Sequence, residues 1–343
     1  MIVVFATFLL ILLFYNNFFK SKFNSKYLSK ENTTRINGFF IMIVFFAHFE
    51  QYITITSPYD AMVYKIIGLL GQLIVTTFFF FSGYGIFESV KNKKGYVKNF
   101  FRNRFIPTYT NWFLIITAFL VVNIILGNIL TIPQIILSYV GWESIGNSNW
   151  YLFDIFVLYI LFIISFNLFK KENLRICSIT ILTILFISIL TLLKDNYCWY
   201  NTLLCFPLGM IYSYYKEKID AKVMKNNKTY YSYFIITLTL FIVSYLTYHI
   251  VHIDIFNIVS CFFVLTLALF LMKFELKSQI LYWCGKNLFW IYTLQRIPMM
   301  IFEGKFSNYN IYFIVCLLTT IMIVYSINFI KQRKAHPEGI RKN

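Results

Sequence analysis

Charge is what this sequence has least of. Only 13% of its 343 residues are Asp, Glu, Lys or Arg, and only 14 of those are acidic. A soluble protein of this length needs far more polar surface, so a soluble globular fold is excluded. The six cysteines, Cys177, Cys198, Cys205, Cys261, Cys284 and Cys316, are scattered with no C-x-x-C pair. They read as small apolar packing residues and give no disulfide framework. There is no zinc motif, no Gly-rich phosphate loop and no Gly-x-Ser-x-Gly elbow, which argues against a metal site and against the common nucleotide and hydrolase signatures. The apolar start, residues 1–19, lacks a basic leading region and a small-residue cleavage site, and lysines follow it at 20, 22, 26 and 30. It reads as an uncleaved helix rather than a signal peptide. No linker, low-complexity tract or short-period repeat divides the chain.

What the chain has is apolar length. It is 59% hydrophobic and 21% aromatic, in runs of about 17–25 residues that match a hydrocarbon core of about 30 Å. Backbone in lipid must bond within its own segment, so these runs are helices. Spans are expected near 2–19, 37–55, 62–89, 107–127, 150–169, 176–193, 200–215, 230–250, 255–272, 286–302 and 309–330. The expected fold is an all-α integral membrane, polytopic bundle of about 11 transmembrane helices. It divides into an extra amino-terminal helix and basic loop (1–30), a ten-helix membrane domain (31–330) and a basic tail (331–343). The segment Ile129 to Val140 is too short to span and is expected at the interface or dipping into the core.

The net charge of +17 is distributed by topology. Alternate loops at 20–36, 90–106, 170–175, 216–229 and 273–286, with the tail, hold 27 of the 31 Lys and Arg residues. Such bias marks the cytoplasmic side, placing the amino end outside and the carboxyl end inside. No basic face adjoins a soluble module, so a nucleic-acid partner is not expected.

Few titratable groups interrupt the spans. His48 ends the run Phe39 to Ala47, where an imidazole is costly unless paired or used. It reads as a general base or proton shuttle; the alternative is a structural histidine bonded to a neighbouring helix. Asn37, eleven residues earlier, shares its helix face, whereas Arg35 falls at or before the helix start. Arg35 reaches inward only if the chain there is unwound. Asp154, one turn after Trp150, is placed to orient the imidazole from across the bundle. Glu50 lies two residues past His48, off its face. Arg102 and Arg104 form a guanidinium pair at the cytoplasmic start of the next helix, which suits a phosphate-bearing ligand as well as ordinary topology. Arg296 sits inside a span and must pair, snorkel or face a cavity. His249, His252 and Asp254 cluster in an outer loop; the His-x-x-His spacing could bind a metal, but helix ends near water explain them more simply.

Four segments in order resemble the integral-membrane acyltransferase-3 family, the O-acyltransferases of bacterial surface polysaccharides. Asn37-Gly38 through His48-Phe49 is similar to its first core helix, in which a basic residue precedes a histidine by eleven positions. Phe78 to Tyr84 resembles its Phe-Phe-x-x-Ser-Gly-Phe/Tyr segment. Arg102-Asn103-Arg104 with Pro107 matches its Arg-x-Arg motif, and Ser148 to Leu152 and Gly285 to Gln295 resemble its later Trp-Tyr and Gly-Lys segments. The chain departs from the pattern in carrying Asn37 where the basic residue is expected, with Arg35 two positions early. Gln295 stands where some members carry a histidine.

The resemblance implies an O-acetyltransferase of the bacterial plasma membrane. Acetyl-CoA would serve as acyl donor from the cytoplasm, with Arg102 and Arg104 on its phosphates. His48, assisted by Arg35 and Asp154, would act as base on a sugar hydroxyl or relay the acyl group. Trp150, Tyr151 and Glu50 would line the acceptor site. The acceptor partner would be a capsular or other envelope polysaccharide, or its lipid-linked form. No metal is expected. A transporter or flippase of a lipid-linked glycan is the rival, although no repeat-like halves with broken helices stand out.

Overall fold

The structure, a computed structural model, describes residues 18–19, 22–55, 57–251 and 255–335. Its helices are α1 (Lys30–Phe49), α2 (Pro58–Asn92), α3 (Tyr96–Phe100), α4 (Ile106–Leu126), α5 (Ile132–Tyr139), α6 (Trp150–Leu168) and α7 (Glu172–Leu193). There follow α8 (Cys205–Val223), α9 (Asn227–Val251), α10 (Phe256–Leu271), α11 (Gln279–Lys286), α12 (Leu288–Leu294), α13 (Arg296–Phe302) and α14 (Tyr309–Ala335). The two-residue strands β1 (Phe18–Phe19) and β2 (Phe274–Glu275) pair antiparallel, Phe18 opposite Glu275. The expected first helix, 2–19, falls mostly outside the described residues, and its last two positions are strand rather than helix.

Each of the other ten expected spans corresponds to helix. Six helical stretches among the described residues are long and apolar enough to cross a membrane: 58–92, 96–126, 150–168, 172–193, 227–251 and 309–333. The helix α1 is not among them, and the reason is its place. Thr33, Thr34, Arg35, Asn37 and His48 lower its hydropathy, yet Ile36, Ile41, Phe45, Phe46 and Phe49 are buried in the centre of the bundle. A helix wrapped by other helices need not be apolar toward lipid. Helices also run beyond the expected spans into the basic segments. Thus α1 begins at Lys30, α8 continues to Val223, and α3 with the π-helical turn Phe101–Phe105 extends α4 back to Tyr96. Lys and Arg are good helix formers, so a loop by charge can still be helix by backbone.

Two crossings hold the centre together. At Gly38 on α1, an added Cβ would stand 1.8 Å from the Leu281 carbonyl oxygen, and at Gly285 on α11 it would stand 1.7 Å from that of Thr34. At Gly83 on α2 it would stand 2.0 Å from the Phe206 carbonyl oxygen, and at Gly209 on α8 it would stand 2.1 Å from that of Phe80. Small residues let backbones touch, which is how helices pack without a hydrophobic drive between them. Between α12 and α13 the helix breaks at Gln295, and Pro298 lacks the N–H that would bond the Leu294 carbonyl.

The expected interfacial segment is the short helix α5, capped by Thr131 and Gln134, with Ile129, Ile132 and Ile136 exposed. The long α2 is bent at Gly71, whose backbone leaves the helical region.

Adding one methyl at either crossing therefore costs stability. Gly285→Ala is expected to destabilise the detergent-solubilised protein by about 1–3 kcal/mol through overpacking. Gly85→Ala, where nothing lies within 4 Å of the new Cβ, is expected to be neutral or slightly stabilising. Thermal unfolding of the two variants checks this, and equal melting temperatures would refute the crossing as a constraint.

Candidate functional site

His48 occupies the last turn of α1, not the middle of its helix. It is half-buried. Its Nδ1 lies 2.8 Å from Gln295 Nε2 and 3.5 Å from Ser148 Oγ, and its ring centroid is 5.9 Å from that of Tyr292. The histidine thus joins three elements: α1, the break after α12 and the loop before α6.

That loop is built to present Ser148. Ser144 Oγ donates to the Asn147 carbonyl at 2.6 Å, the Ile145 amide donates to Asn147 Oδ1 at 2.9 Å, and Asn123 Nδ2 donates to the Ile145 carbonyl at 2.8 Å. Gly146 takes φ +101°, open to glycine and strained for other residues. Asn149 Nδ2 closes the loop on the Gly141 carbonyl at 3.0 Å.

A cavity of about 1210 Å³ opens among α1, α2, α4, α6 and α12. Its lining includes six lysines, Lys26, Lys30, Lys93, Lys94, Lys216 and Lys286, drawn from four of the basic segments. Lys216 is paired with Asp220, while the other five make no ion pair among the described residues. Other lining residues are Ser82, Asn103, Arg104, Asn111 and Tyr159, with Phe78, Tyr151, Leu152 and Tyr292. Tyr151 packs at 5.6 Å on Tyr292 and 4.8 Å on Phe79. Tyr292 is therefore shared, lining the cavity on one side and meeting the His48 ring on the other.

The expected site residues separate in space. Tyr151 and Arg104 line the cavity, whereas His48 does not and meets it through Tyr292; the Arg104 Nε and NH2 groups donate to Tyr159 Oη at 3.3 and 3.2 Å. Arg102 is exposed and does not line the cavity, because neighbours two apart on a helical turn point apart. Arg35 does not reach inward. The helix is continuous through it, so it stands thirteen residues or about 20 Å along the axis from His48. Its NH2 group bonds Glu31 at 2.6 Å instead.

Asp154 is fully buried and makes no hydrogen bond among the described residues, so it does not hold the imidazole. Trp150 contacts Tyr151 at 6.3 Å without lining the cavity. Glu50 lies half-buried in the turn Glu50–Tyr52 that follows α1. Arg296 bonds Gln51 Oε1, tying α13 to the same turn.

Sequence reasoning missed Gln295 as the partner of His48. Its signals were polarity in an apolar run, Ile291 to Gln295, ahead of a proline, and its place where some family members carry a histidine. On the far side of α6, Lys194 lies 3.7 Å from the Trp142 ring and 4.2 Å from that of Trp199. Burial there lowers the pKa of its ammonium, and Glu143 and Asp154 oppose the shift. The described part of the His249 cluster packs tilted against Tyr245 and edge-on against Tyr248, and His252 and Asp254 lie outside the described residues. Among the described residues no group of three His, Cys, Asp or Glu side chains could hold a metal ion.

Residues 36–329 match the family model for the acyltransferase domain of type 3. The chain belongs to that acyltransferase family. No curated protein and no solved structure matches it. The match covers His48 and most of the cavity lining, leaving out the lining residues from Ser25 to Thr33, and makes the molecule a membrane acyltransferase.

For an acyltransferase with this geometry, Tyr292 narrows the passage from the cavity to the histidine. Tyr292→Ala is expected to admit a cavity-borne thiol reagent to a cysteine placed at position 48, at least tenfold faster than with Tyr292 intact. Mass spectrometry of the labelled peptide reads the rate. Equal rates would show that Tyr292 narrows nothing.

Proposed function

We propose that the protein transfers an acetyl group from acetyl-CoA to a sugar hydroxyl of a bacterial cell-surface polysaccharide. The observation that carries this reading is the lysine-rimmed cavity that ends at Tyr292, within 5.9 Å of the His48 ring. Pockets for drug-sized ligands are about 300–1,000 Å³, so 1210 Å³ suits a large, extended donor. The charged part of that donor belongs at the lysine end, where ammonium groups without carboxylate partners attract phosphate. The thioester belongs at the aromatic end, where water is scarce. The lysine end carries the basic segments, which the bias of charge assigns to the cytoplasm. The bacterial plasma membrane, with donor entering from inside, follows as part of the same proposal.

Arg104 is the cation assigned to the donor's phosphates within the cavity, and Arg102 is not. The acceptor, polysaccharide or lipid-linked, approaches His48 from the other end of α1, past Ser148, Trp150 and Glu50.

Proton NMR spectra of the surface polysaccharide test the activity. Cells lacking the gene are expected to lose an O-acetyl signal that returns with the intact protein and not with His48→Ala at matched expression. An unchanged spectrum with normal glycan amount in all three strains would overturn the acetylation reading. The donor assignment has its own measurement. Losing one charge-assisted contact, worth about 1.5–3 kcal/mol, should raise the KM for acetyl-CoA roughly 10- to 100-fold in Arg104→Ala, whereas Arg102→Ala should leave it within about twofold. The reverse order would reassign the phosphates.

A further inference from the structure

We propose that Gln295 locks His48 in the tautomer that carries its proton on Nε2, so that the ring acts as a hydrogen-bond donor to the reacting carbonyl oxygen rather than as a general base. This rests on the acyl-transfer reading above.

The argument begins with the carbonyl of Tyr292. Gln295 is fully buried, and its Nε2 is 3.1 Å from that carbonyl oxygen and 2.8 Å from His48 Nδ1. A carbonyl oxygen only accepts, so the amide edge facing it must be the NH2 group. The same nitrogen faces Nδ1, and an amide nitrogen has two hydrogens to give and none to receive. Nδ1 therefore accepts, and a neutral imidazole must then hold its proton on Nε2. Turning the amide over would set Gln295 Oε1 against the Tyr292 oxygen, two acceptors with no proton between them, so the Tyr292 carbonyl decides the orientation even though Oε1 could accept from an Nδ1–H. In this orientation Gln295 Oε1 is left buried and unpartnered, at a cost of about 1–3 kcal/mol. Ser148 Oγ, at 3.5 Å from Nδ1, is a hydroxyl that serves equally well as donor there.

A general base working at Nε2 needs the opposite arrangement: a free lone pair on Nε2 and an acceptor holding Nδ1–H. The structure supplies a donor at Nδ1. It leaves Nε2 without a hydrogen bond among the described residues, on a side chain that is only half-buried. In the transfer, the acceptor oxygen forms a bond to the thioester carbon and the carbon–sulfur bond breaks. The electron pair leaves on sulfur, and the hydroxyl proton ends on that sulfur as the thiol. His48 keeps its proton throughout and donates Nε2–H to the carbonyl oxygen as negative charge gathers there. A preformed donor in a water-poor site performs this stabilisation without reorganising. Gln295 is the positioning residue for it.

Two measurements test the proposal. The first is nitrogen-15 NMR of the full chain labelled at histidine and held in lipid nanodiscs, with His48 assigned by the signal lost in His48→Gln. The expected spectrum has Nδ1 unprotonated and Nε2 protonated, and Gln295→Glu, whose carboxylate accepts, is expected to move the proton to Nδ1. A wild-type spectrum with Nδ1 protonated overturns the lock. The second is transfer from acetyl-CoA to polysaccharide. Losing one such donor costs about 10²–10³-fold in turnover, so His48→Ala should fall by that factor, while His48→Gln, which keeps an N–H but cannot act as a base, should recover at least tenfold of it. Equal loss in both variants overturns the donor role. If the wild-type protein moves no acetyl group, the activity reading fails, and the NMR result still decides the tautomer.

Discussion

The contact on which the rest of the site depends is the backbone crossing of α1 and α11 at Gly38 and Gly285. Each glycine faces a carbonyl oxygen of the other helix closer than any side chain permits. The crossing also sets register. His48 lies ten residues after Gly38, and Gln295 lies ten after Gly285. The path along α1 climbs about 15 Å at 1.5 Å per residue, the other passes from α11 through the turn at Asn287 into α12, and the two side chains meet at 2.8 Å. A parallel pair of helices fixed at one end thus delivers a hydrogen bond at the other. Shifting the crossing by one turn, about 5.4 Å, would break that bond without altering either residue of the pair.

The same helix separates two jobs by distance. Its first turns, with Lys30 and Thr33, line the cavity near the lysine mouth, and its last turn carries the histidine. The aromatic wall of Tyr151 and Tyr292 stands between. A thioester held at these rings is shielded from water, and a hydrogen bond donated to it there acts in low dielectric, where it is stronger. Polar residues in α1 are therefore costs accepted for the site, and they are the reason its hydropathy falls short of the spans around it.

Much of this could be read from the sequence, and what could not has a physical reason. The apolar runs marked where helix lies because backbone in lipid has few alternatives, although only six helical stretches among the described residues are long and apolar enough to cross. His48 stood out because a titratable group is rare in such a run. Distances across the bundle were not readable. Asp154 was placed beside the imidazole by its position in α6, yet its oxygens face no donor. Gln295 looked like a departure from a pattern and proves to be the residue that touches His48. Arg35 illustrates the same limit. Its spacing from His48 demanded an unwound helix, and the backbone stays helical with Glu31 one turn away to pair with it. Helix ends were misjudged at the basic segments because charge reports the membrane boundary, not the end of the backbone hydrogen bonds.

The partners of the two arginines explain why one serves the cavity and the other does not. Arg35 is bound to a carboxylate, so its charge is already balanced within its own helix. Arg104 is held by a phenol. Tyr159 Oη takes two of its N–H groups and fixes the guanidinium at the cavity wall, yet a neutral hydroxyl cancels none of its charge. The π-helical turn Phe101–Phe105 contributes to this aim, since a wide turn rotates the residues within it relative to the regular helix on either side. A cation anchored by a neutral group keeps its remaining N–H groups and its full charge for a ligand. Anchoring without neutralising is what an anion site requires, and Arg104 meets that requirement where Arg35, with its carboxylate, does not.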